Sequence, residues 1–287
     1  MEIRKPVFII GSGRSGTTIL YSLLALHPEV CWFSNLTERY PRFPWLAVLH
    51  RILDAPLFGK IMKQRLIARA KPSLKPSEAG NIYHSYCGFE NTRKMTEDDL
   101  TEETVETFKR IIEGHLVSSG KPRFLNKQTA NTQRMRVVDR MFPDAYYVNI
   151  IRDGRAVAYS LFTVPWWNDL DIWWLKDKVG KWEEMGREPL ELCALHWQRE
   201  VEEILLNKHL FEDRYLEIRY EELVVDTPGV IRKIARFCEL KEFPGFADFL
   251  PTNLTNMNYK WETQLDDSQK LVLDETIGDF LTQLGYT

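Results

Sequence analysis

The stretch FIIGSGRSGTTILYSLL, residues 8–24, joins a short apolar run to a helix-forming sequence through a glycine-rich turn. Gly11, Gly13 and Gly16 match the dinucleotide-binding pattern G-x-G-x-x-G. The stretch also matches a nucleoside-triphosphate P-loop in which Thr17 replaces the lysine. A strand, a turn and a helix start present backbone N–H groups and the positive end of a helix to an anion. The stretch therefore predicts an anion site on an α/β fold.

Neither nucleotide pattern is complete in this chain. Dinucleotide binding requires an acidic residue about 20 positions further on, but the segment CWFSN, residues 31–35, contains none. A loop for ATP or GTP requires a lysine that reaches the β- and γ-phosphates, whereas Arg14 is the only cation of this loop. A glycine turn without a ligand is a third interpretation at this point.

The composition favours one globular domain over residues 1–287. With 44% hydrophobic residues the chain can bury a large core, and its net charge of −3 argues against broad nucleic-acid binding. The four cysteines form no C-x-x-C pair, so we expect no metal site, no disulfide framework and a cytoplasmic setting. The apolar run VFIIG after MEIRKP is too short for a signal-peptide core or a membrane helix.

Three short apolar runs predict buried parallel strands at residues 7–10, 145–151 and 215–218. Each run is followed by a stretch with helical character, which predicts an α/β fold with a central parallel sheet flanked by helices. The first two strands are too far apart for a simple crossover, so we expect helices added to the fold over about residues 38–116.

The segment at residues 42–70 is rich in both apolar and basic side chains. Its periodicity favours an amphipathic insertion packed on its own domain. Association with a membrane surface is the alternative interpretation, because basic amphipathic helices bind such surfaces.

A second motif, YYVNIIRDGRAVAYSL, lies at residues 146–161. It places Arg152 at the carboxyl end of a buried strand and Ser160 two turns into the next helix, and ligands of open α/β sheets bind at that edge. The alternative is a simple helix start, in which Asp153 caps the N–H groups and Arg152 forms an ion pair.

Together the two motifs resemble those of the sulfotransferases that use 3′-phosphoadenosine 5′-phosphosulfate (PAPS). The resemblance extends from Val7 to about Leu240, and GRSGTT and IRDGRAVAYS are most similar to the protein-tyrosine and bacterial branches. It implies a P-loop-like three-layer fold and transfer of a sulfuryl group to a hydroxyl, with 3′-phosphoadenosine 5′-phosphate (PAP) as product and no metal. The tryptophan-rich segment at about residues 162–186 adds the expectation that the acceptor is a small molecule, a glycan or a glycolipid.

The resemblance also implies which residues bind the donor. Arg152 and Ser160 would bind the 3′-phosphate, and the loop would hold the 5′-phosphosulfate. Arg14 and Lys127 would be the catalytic cations at the leaving oxygen, where a fixed charge stabilises the transition state most. The full set of expected donor-binding residues is Gly13, Arg14, Ser15, Gly16, Thr17, Thr18, Arg152, Ser160, Tyr220, Lys260 and Trp261.

The general base is the point at which this chain departs from its relatives. In the protein-tyrosine branch a glutamate follows the H-P-E-V segment, but gap-free counting from His27 places Asn35 there. Glu38 lies three residues later and is our predicted base. Pairing of Glu38 with Arg39 or Arg42 on the surface is the alternative.

The segment at about residues 162–186 holds five of the nine tryptophans. Because it follows the helix of the second motif, we expect it at the carboxyl edge of the sheet, where an acceptor would approach. The tryptophans can equally be core residues, since this residue type is usually buried. The predicted acceptor-binding residues are Trp166, Trp167, Trp173 and Trp174, with Trp182, Asp169 and Asp171 nearby.

Two other functions fit the same fold. A P-loop small-molecule kinase would carry a loop lysine and a magnesium-binding carboxylate, and neither is recognisable. A non-catalytic nucleotide-binding protein would have lost Lys127 or the loop cation, and both are present.

Overall fold

The computed structural model describes residues 2–54, 73–89, 93–243 and 245–286. Its centre is a five-stranded parallel sheet with the strand order β2-β3-β1-β4-β7. These strands are β1 (Val7–Ile10), β2 (Val30–Cys31), β3 (Arg123–Lys127), β4 (Tyr146–Ile151) and β7 (Tyr215–Arg219). A small antiparallel hairpin consists of β5 (Asp171–Ile172) and β6 (Asp177–Lys178).

Helices connect and cover the strands. The α-helices are α1 (Thr17–Leu24), α2 (Asn35–Arg39), α3 (Gly80–Cys87), α4 (Glu102–Ser119), α5 (Met135–Met141), α6 (Gly154–Phe162), α7 (Val179–Glu184), α8 (Pro189–Asn207), α9 (Tyr220–Val225), α10 (Thr227–Phe237), α11 (Tyr259–Gln264) and α12 (Asp267–Gln283). Longer 3₁₀ helices lie at Pro44–Asp54, Thr129–Arg134 and Pro165–Asp169.

Alternation along β1 divides the core into two layers. Val7 and Ile9 pack with apolar residues of α1, α9 and α10 on one face of the sheet. Phe8 and Ile10 pack with α3, α4 and α5 on the other face. Strands that are buried on both faces read as continuous apolar runs, which is why β1 and β4 were recognisable in the sequence. The predicted α/β fold with a helix-covered parallel sheet is confirmed.

The sheet also contains strands that the periodicity analysis did not delimit. β3 carries two charged residues and an asparagine, Arg123, Asn126 and Lys127, so it does not read as an apolar run, yet all five of its residues are buried. The register pairs Ile9 with Lys127 on one side of β1 and with Val148 on the other. The turn after β1 therefore lies between the carboxyl ends of β3 and β4.

The described parts of residues 38–116 are largely helical. The 3₁₀ helix Pro44–Asp54 packs against α4, with Ala47, His50 and Leu53 buried. Part of the basic apolar segment thus packs on its own domain, as its periodicity predicts, while residues 55–70 of it lie outside the described residues. The division of the chain into one domain with an insertion remains a prediction.

Candidate active site

The loop between β1 and α1 has a backbone that requires glycine at two positions. Gly11 has φ 135° and Gly16 has φ 94°. A Cβ atom on Gly11 would lie 2.5 Å from the backbone oxygen of Ile150, and one on Gly16 would lie 2.7 Å from the ring of Tyr220. The glycines thus let the loop turn tightly beside β4 and α9.

The loop has the properties of an anion cradle. The N–H of Ser15 donates to the carbonyl of Ser12 at 3.2 Å, which closes the turn. The Ser15 hydroxyl is buried and makes no protein hydrogen bond, and α1 begins directly after Gly16. An unpaired buried hydroxyl beside the positive end of a helix fits a phosphate or sulfate oxygen.

Arginine and serine side chains join the two sequence motifs into one site. The Arg14 Nε donates to the Ser160 Oγ at 2.9 Å, across 146 residues of sequence. The Arg152 Nη1 donates to the backbone oxygen of Arg14 at 2.9 Å. The predicted 5′- and 3′-phosphate motifs are therefore in direct contact at the carboxyl edge of the sheet.

Two further side chains, from different parts of the chain, hold Arg152 in place. Its Nε donates to Asn258 Oδ1 at 2.8 Å, and its guanidinium lies 4.3 Å from the ring centroid of Tyr220. Burial lowers the pKa of the Arg152 guanidinium, and Glu221 and Asp153 oppose that shift. Because the ordinary pKa of arginine lies far above neutral pH, Arg152 remains a fixed cation.

The C-terminal part of the chain reaches the same site. Asn258 immediately precedes α11, which carries Lys260 and Trp261, and α11 packs against α6. The Arg155 guanidinium lies 4.6 Å from the centroid of the Trp261 ring. Sequence reasoning missed Asn258, because a single asparagine outside a motif carries no signal of its own.

Lys127 lies at the end of β3 and is 1% exposed. Its ammonium group donates to the Thr18 Oγ1 at 3.2 Å and forms an ion pair with Glu78. Burial lowers the pKa of Lys127, whereas the Glu78 carboxylate raises it. The lysine, a helix-start hydroxyl and a carboxylate thus meet at one point beside the loop.

These groups line a cavity of about 750 Å³. Its wall also carries Glu38, which accepts a hydrogen bond from the N–H of Asn81 at 3.2 Å and another from the Ser77 hydroxyl. Asn35, the position at which relatives carry a glutamate, lines the cavity as well. Glu38 therefore faces the same space as Lys127, but Glu78 is the carboxylate in contact with the lysine.

Glu78 is a site residue that sequence reasoning missed. It lies in LKPSEAG, a segment without a motif, and 49 positions separate it from Lys127. The segment is next to β2 in space, because the N–H of Ser77 donates to the carbonyl of Phe33 at 2.7 Å. That long-range contact brings Glu78 to the cavity, and no local pattern encodes it.

The tryptophan-rich segment divides between core and cavity. Trp167 is 2% exposed, and with Trp182 it belongs to an apolar cluster formed with α6, α8 and α12. Trp174 packs against that cluster, whereas Trp166 is 50% exposed. The segment is thus partly built into the core.

A second, smaller cavity of about 140 Å³ is lined in part by Gln128, Thr129 and Ala130, the residues that follow Lys127. Gly13 of the loop lines it together with Trp166, Trp167 and Trp173. At its base Glu200 accepts a hydrogen bond from the Trp173 Nε1 at 2.6 Å and one from the Thr132 hydroxyl. Burial raises the pKa of Glu200 to about 7.

Two further observations concern ligands and membranes. Within residues 2–54, 73–89, 93–243 and 245–286, no group of three or more His, Cys, Asp and Glu side chains is arranged to hold a metal ion. Across the same residues, no helix is long and apolar enough to span a membrane.

The chain matches the model of the Sulfotransferase family over residues 6–244 and belongs to that family. The protein-tyrosine sulfotransferase of Drosophila melanogaster is 24% identical over 82% of this chain, which spans 38% of that protein's length. The omega-hydroxy-beta-dihydromenaquinone-9 sulfotransferase Stf3 of Mycobacterium bovis is 24% identical over 98% of this chain and 75% of that protein.

Among solved structures, sulfotransferase STF9 from Mycobacterium avium is similar, with a TM-score of 0.63 at 16% identity. That alignment covers 100% of this chain and 78% of the other. The resemblance inferred from the two motifs is thereby confirmed, as is the fold.

Proposed function

We propose that this protein transfers the sulfuryl group of PAPS to an alcohol. One observation carries the proposal: Arg14, Ser160 and Arg152 form a hydrogen-bonded chain that joins the loop to the second motif. A donor with phosphate groups at both its 5′ and 3′ positions requires cations at two linked points. AMP and ATP have no 3′-phosphate, so neither would place a phosphate group at Arg152.

Each part of the site has a role in this reaction. The loop from Gly13 to Thr18 would bind the phosphosulfate through N–H groups and hydroxyls, with Ser15 supplying its unpaired hydroxyl. Arg152 and Ser160 would bind the 3′-phosphate, since charge-assisted hydrogen bonds to phosphate are strong. Tyr220 and α11, with Lys260 and Trp261, would border the nucleotide.

The transfer itself needs a cation at the leaving oxygen and a base at the acceptor. The acceptor oxygen forms a bond to sulfur as the bond from sulfur to the 5′-phosphate oxygen breaks, in line and on opposite sides. Lys127 and Arg14 would stabilise the charge that develops on the leaving phosphate. The proton of the acceptor hydroxyl passes to a carboxylate.

We propose Glu78 as that base, with Glu38 as the second candidate on the same wall. Glu78 contacts Lys127, so a hydroxyl bound against Glu78 would also lie near the sulfuryl group. Glu38 is held by Ser77 and Asn81 and lies further along the cavity wall. Geometry within hydrogen-bond reach is the first requirement for a general base.

We also propose a reducing, cytoplasmic setting. The support is that Cys31, Cys87, Cys193 and Cys238 are buried free thiols. Proteins of oxidising compartments usually pair their cysteines in disulfides.

The donor assignment is tested by calorimetry with PAP and AMP. PAP should bind about 10- to 100-fold more tightly, and Arg152→Ala should remove most of that difference. Arg136→Ala, which removes an exposed arginine outside the site, is the control and should change neither affinity. Equal affinity of the unmodified protein for PAP and AMP would contradict the proposal.

A further inference from the structure

Five large apolar side chains are exposed along one short segment: Tyr40, Phe43, Trp45, Val48 and Ile52. We call them the aromatic rim. Trp45 is 59% exposed and Phe43 48%, and their ring centroids lie 6.2 Å apart. Single exposed apolar residues are ordinary, but a cluster of this kind marks an interaction surface.

Trp45, Val48 and Ile52 of the rim lie on the 3₁₀ helix Pro44–Asp54, whose inner face is already packed. Tyr40 and Phe43 come just before that helix. Ala47, His50 and Leu53 of Pro44–Asp54 are buried, and His50 stacks on Trp32 at 4.4 Å between ring centroids. A helix that is apolar on two sides needs a second apolar environment. Packing against α4 accounts for the buried inner face.

The charges of the segment identify the kind of partner. Residues 39–53 contain three arginines and no aspartate or glutamate, although the whole chain has a net charge of −3. Arg39, Arg42 and Arg51 are all exposed. Tryptophan and tyrosine are enriched where a protein meets the lipid–water interface, and basic residues are attracted by anionic headgroups. An exposed segment rich in aromatic and arginine side chains fits an anionic lipid surface.

The rim is continuous with the cavity beside the loop. Arg39 and Tyr40 line the same cavity as Lys127 and Glu78. A lipid surface seated on Phe43 and Trp45 would therefore lie at the wall of that cavity.

We propose that the aromatic rim binds an anionic lipid surface and that the acceptor is an amphiphilic alcohol that enters the cavity from that surface. The acceptor part of this inference rests on the proposed sulfuryl transfer, whereas the docking part does not. The cavity walls suit such an alcohol, because Leu36 and Tyr40 supply apolar contacts while the carboxylates receive the hydroxyl.

The docking is tested by co-sedimentation with vesicles of phosphatidylcholine, with and without phosphatidylserine, in the absence of nucleotide. The unmodified protein should sediment with the anionic vesicles, and the Phe43→Ser/Trp45→Ser double variant should bind them at least about tenfold more weakly. Leu206→Ser/Val225→Ser removes two exposed apolar side chains elsewhere and should bind like the unmodified protein. Thermal unfolding of both variants checks that they fold.

Two results would overturn the docking: absence of binding to anionic vesicles, or equal binding by the rim variant. Concentration-dependent self-association that the rim variant abolishes, without vesicle binding, would also overturn it and make the rim a contact between copies of this chain. The acceptor class is tested by transfer to a long-chain alcohol embedded in vesicles and to a short water-soluble alcohol. The rim variant should lose the first activity and keep the second.

The same experiment separates the two proposals. PAP affinity, measured by calorimetry, should be equal in all these variants. Vesicle binding without PAP affinity or transfer to either alcohol would refute the proposed function and the acceptor class while supporting the docking. Equal loss of both transfer activities in the rim variant would refute the acceptor class.

Discussion

The two cavities that border the Lys127–Ala130 stretch differ in how far their carboxylates are exposed. In the larger cavity, Glu38 and Glu78 are partly exposed and face open space next to the buried lysine. In the smaller cavity, Glu200 is buried and bound by Trp173 and Thr132 of its own chain. A carboxylate that faces open space can exchange a proton with a bound molecule, whereas a sealed one mainly shapes the fold. The difference supports the proposal that the reaction takes place in the first cavity, with Glu200 in a structural role.

Two matched substitutions, one in each cavity, test this difference most directly. Glu78→Gln should lower kcat by about 10²- to 10⁴-fold, because it removes the proposed base and keeps the size of the side chain. Glu200→Gln should leave kcat within a few-fold of the unmodified protein. Steady-state transfer assays at several pH values measure both, and PAP calorimetry shows that the donor still binds.

Glu38→Gln completes this set. If Glu38→Gln abolishes transfer while Glu78→Gln does not, the base is Glu38. The ion pair between Glu78 and Lys127 then has no part in proton transfer. If Glu200→Gln has the largest effect, the reaction belongs to the smaller cavity.

The second prediction concerns two buried lysines that are each paired with an acid. Lys127 pairs with Glu78, and Lys121 pairs with Asp54 away from the loop. Lys127→Ala should lower kcat by about 10²- to 10³-fold with a smaller change in PAP affinity, since a preorganised cation acts mainly on the transition state. Lys121→Ala should leave kcat unchanged and lower stability only. Equal kcat losses in both variants would show that burial of a lysine, rather than its place, matters.

The third prediction sharpens the reading of the tryptophan segment. Trp167→Ala should lower the free energy of unfolding by about 3–4 kcal/mol, because it removes a fully buried ring from the cluster around α8. Trp166→Ala should change it by less than about 0.5 kcal/mol, since that side chain is half exposed. Urea unfolding measures both values. A small loss for Trp167→Ala would mean that its ring is dispensable to the core and available to an acceptor.

The fourth prediction is a pH dependence of stability. The folded pKa of Glu200, about 7, lies above the value of an exposed glutamate. The contribution of Glu200 to the free energy of unfolding is fully present below the unfolded pKa, near 4.5. It is lost as the pH rises through the folded pKa of about 7. Relative to Glu200→Gln, the unmodified protein should therefore lose about 2 kcal/mol between about pH 5.5 and 8.

The quantity to measure is the difference in free energy of unfolding between the unmodified protein and Glu200→Gln. Buried histidines are present in both proteins, and their effect on stability has the opposite pH dependence. Burial lowers the pKa of His50 to about 3 and that of His115 and His196 to about 4. The contribution of these histidines to the free energy of unfolding is present above about pH 6.5, the pKa of an exposed histidine. It is lost as the pH falls through their lowered pKa values. Urea unfolding across this range gives both curves, and parallel curves would show that Glu200 titrates normally.

Much of this site was predictable because its cations lie in local motifs. Arg14 and Arg152 are each one residue of a strand–turn–helix unit, and the end of a strand in an open α/β sheet is where ligands bind. Arg14 contacts both Ser160 and Arg152 because β1 and β4 are neighbouring strands of the sheet.

The remainder depended on tertiary contacts that no period in the sequence encodes. Glu78 reaches Lys127 only because the chain returns past β2, and Asn258 reaches Arg152 from 106 residues away. β3 was not delimited because its buried charged residues break the apolar pattern that marks its neighbours. Buried polar residues interrupt the apolar pattern by which a strand is recognised in a sequence.

Arg14 has φ 69°, a left-handed conformation that is unfavourable for an arginine and natural for a glycine. Arg14→Gly should therefore raise the thermal midpoint slightly, because it relieves a conformational cost of about 1 kcal/mol, keeps the bond from Arg152 to the backbone oxygen of residue 14 and loses the side-chain bond to Ser160. Differential scanning calorimetry measures the sign. Given the proposed catalytic role of Arg14, directed evolution for heat tolerance alone would favour this replacement at the cost of activity, so a useful library must screen turnover alongside melting temperature.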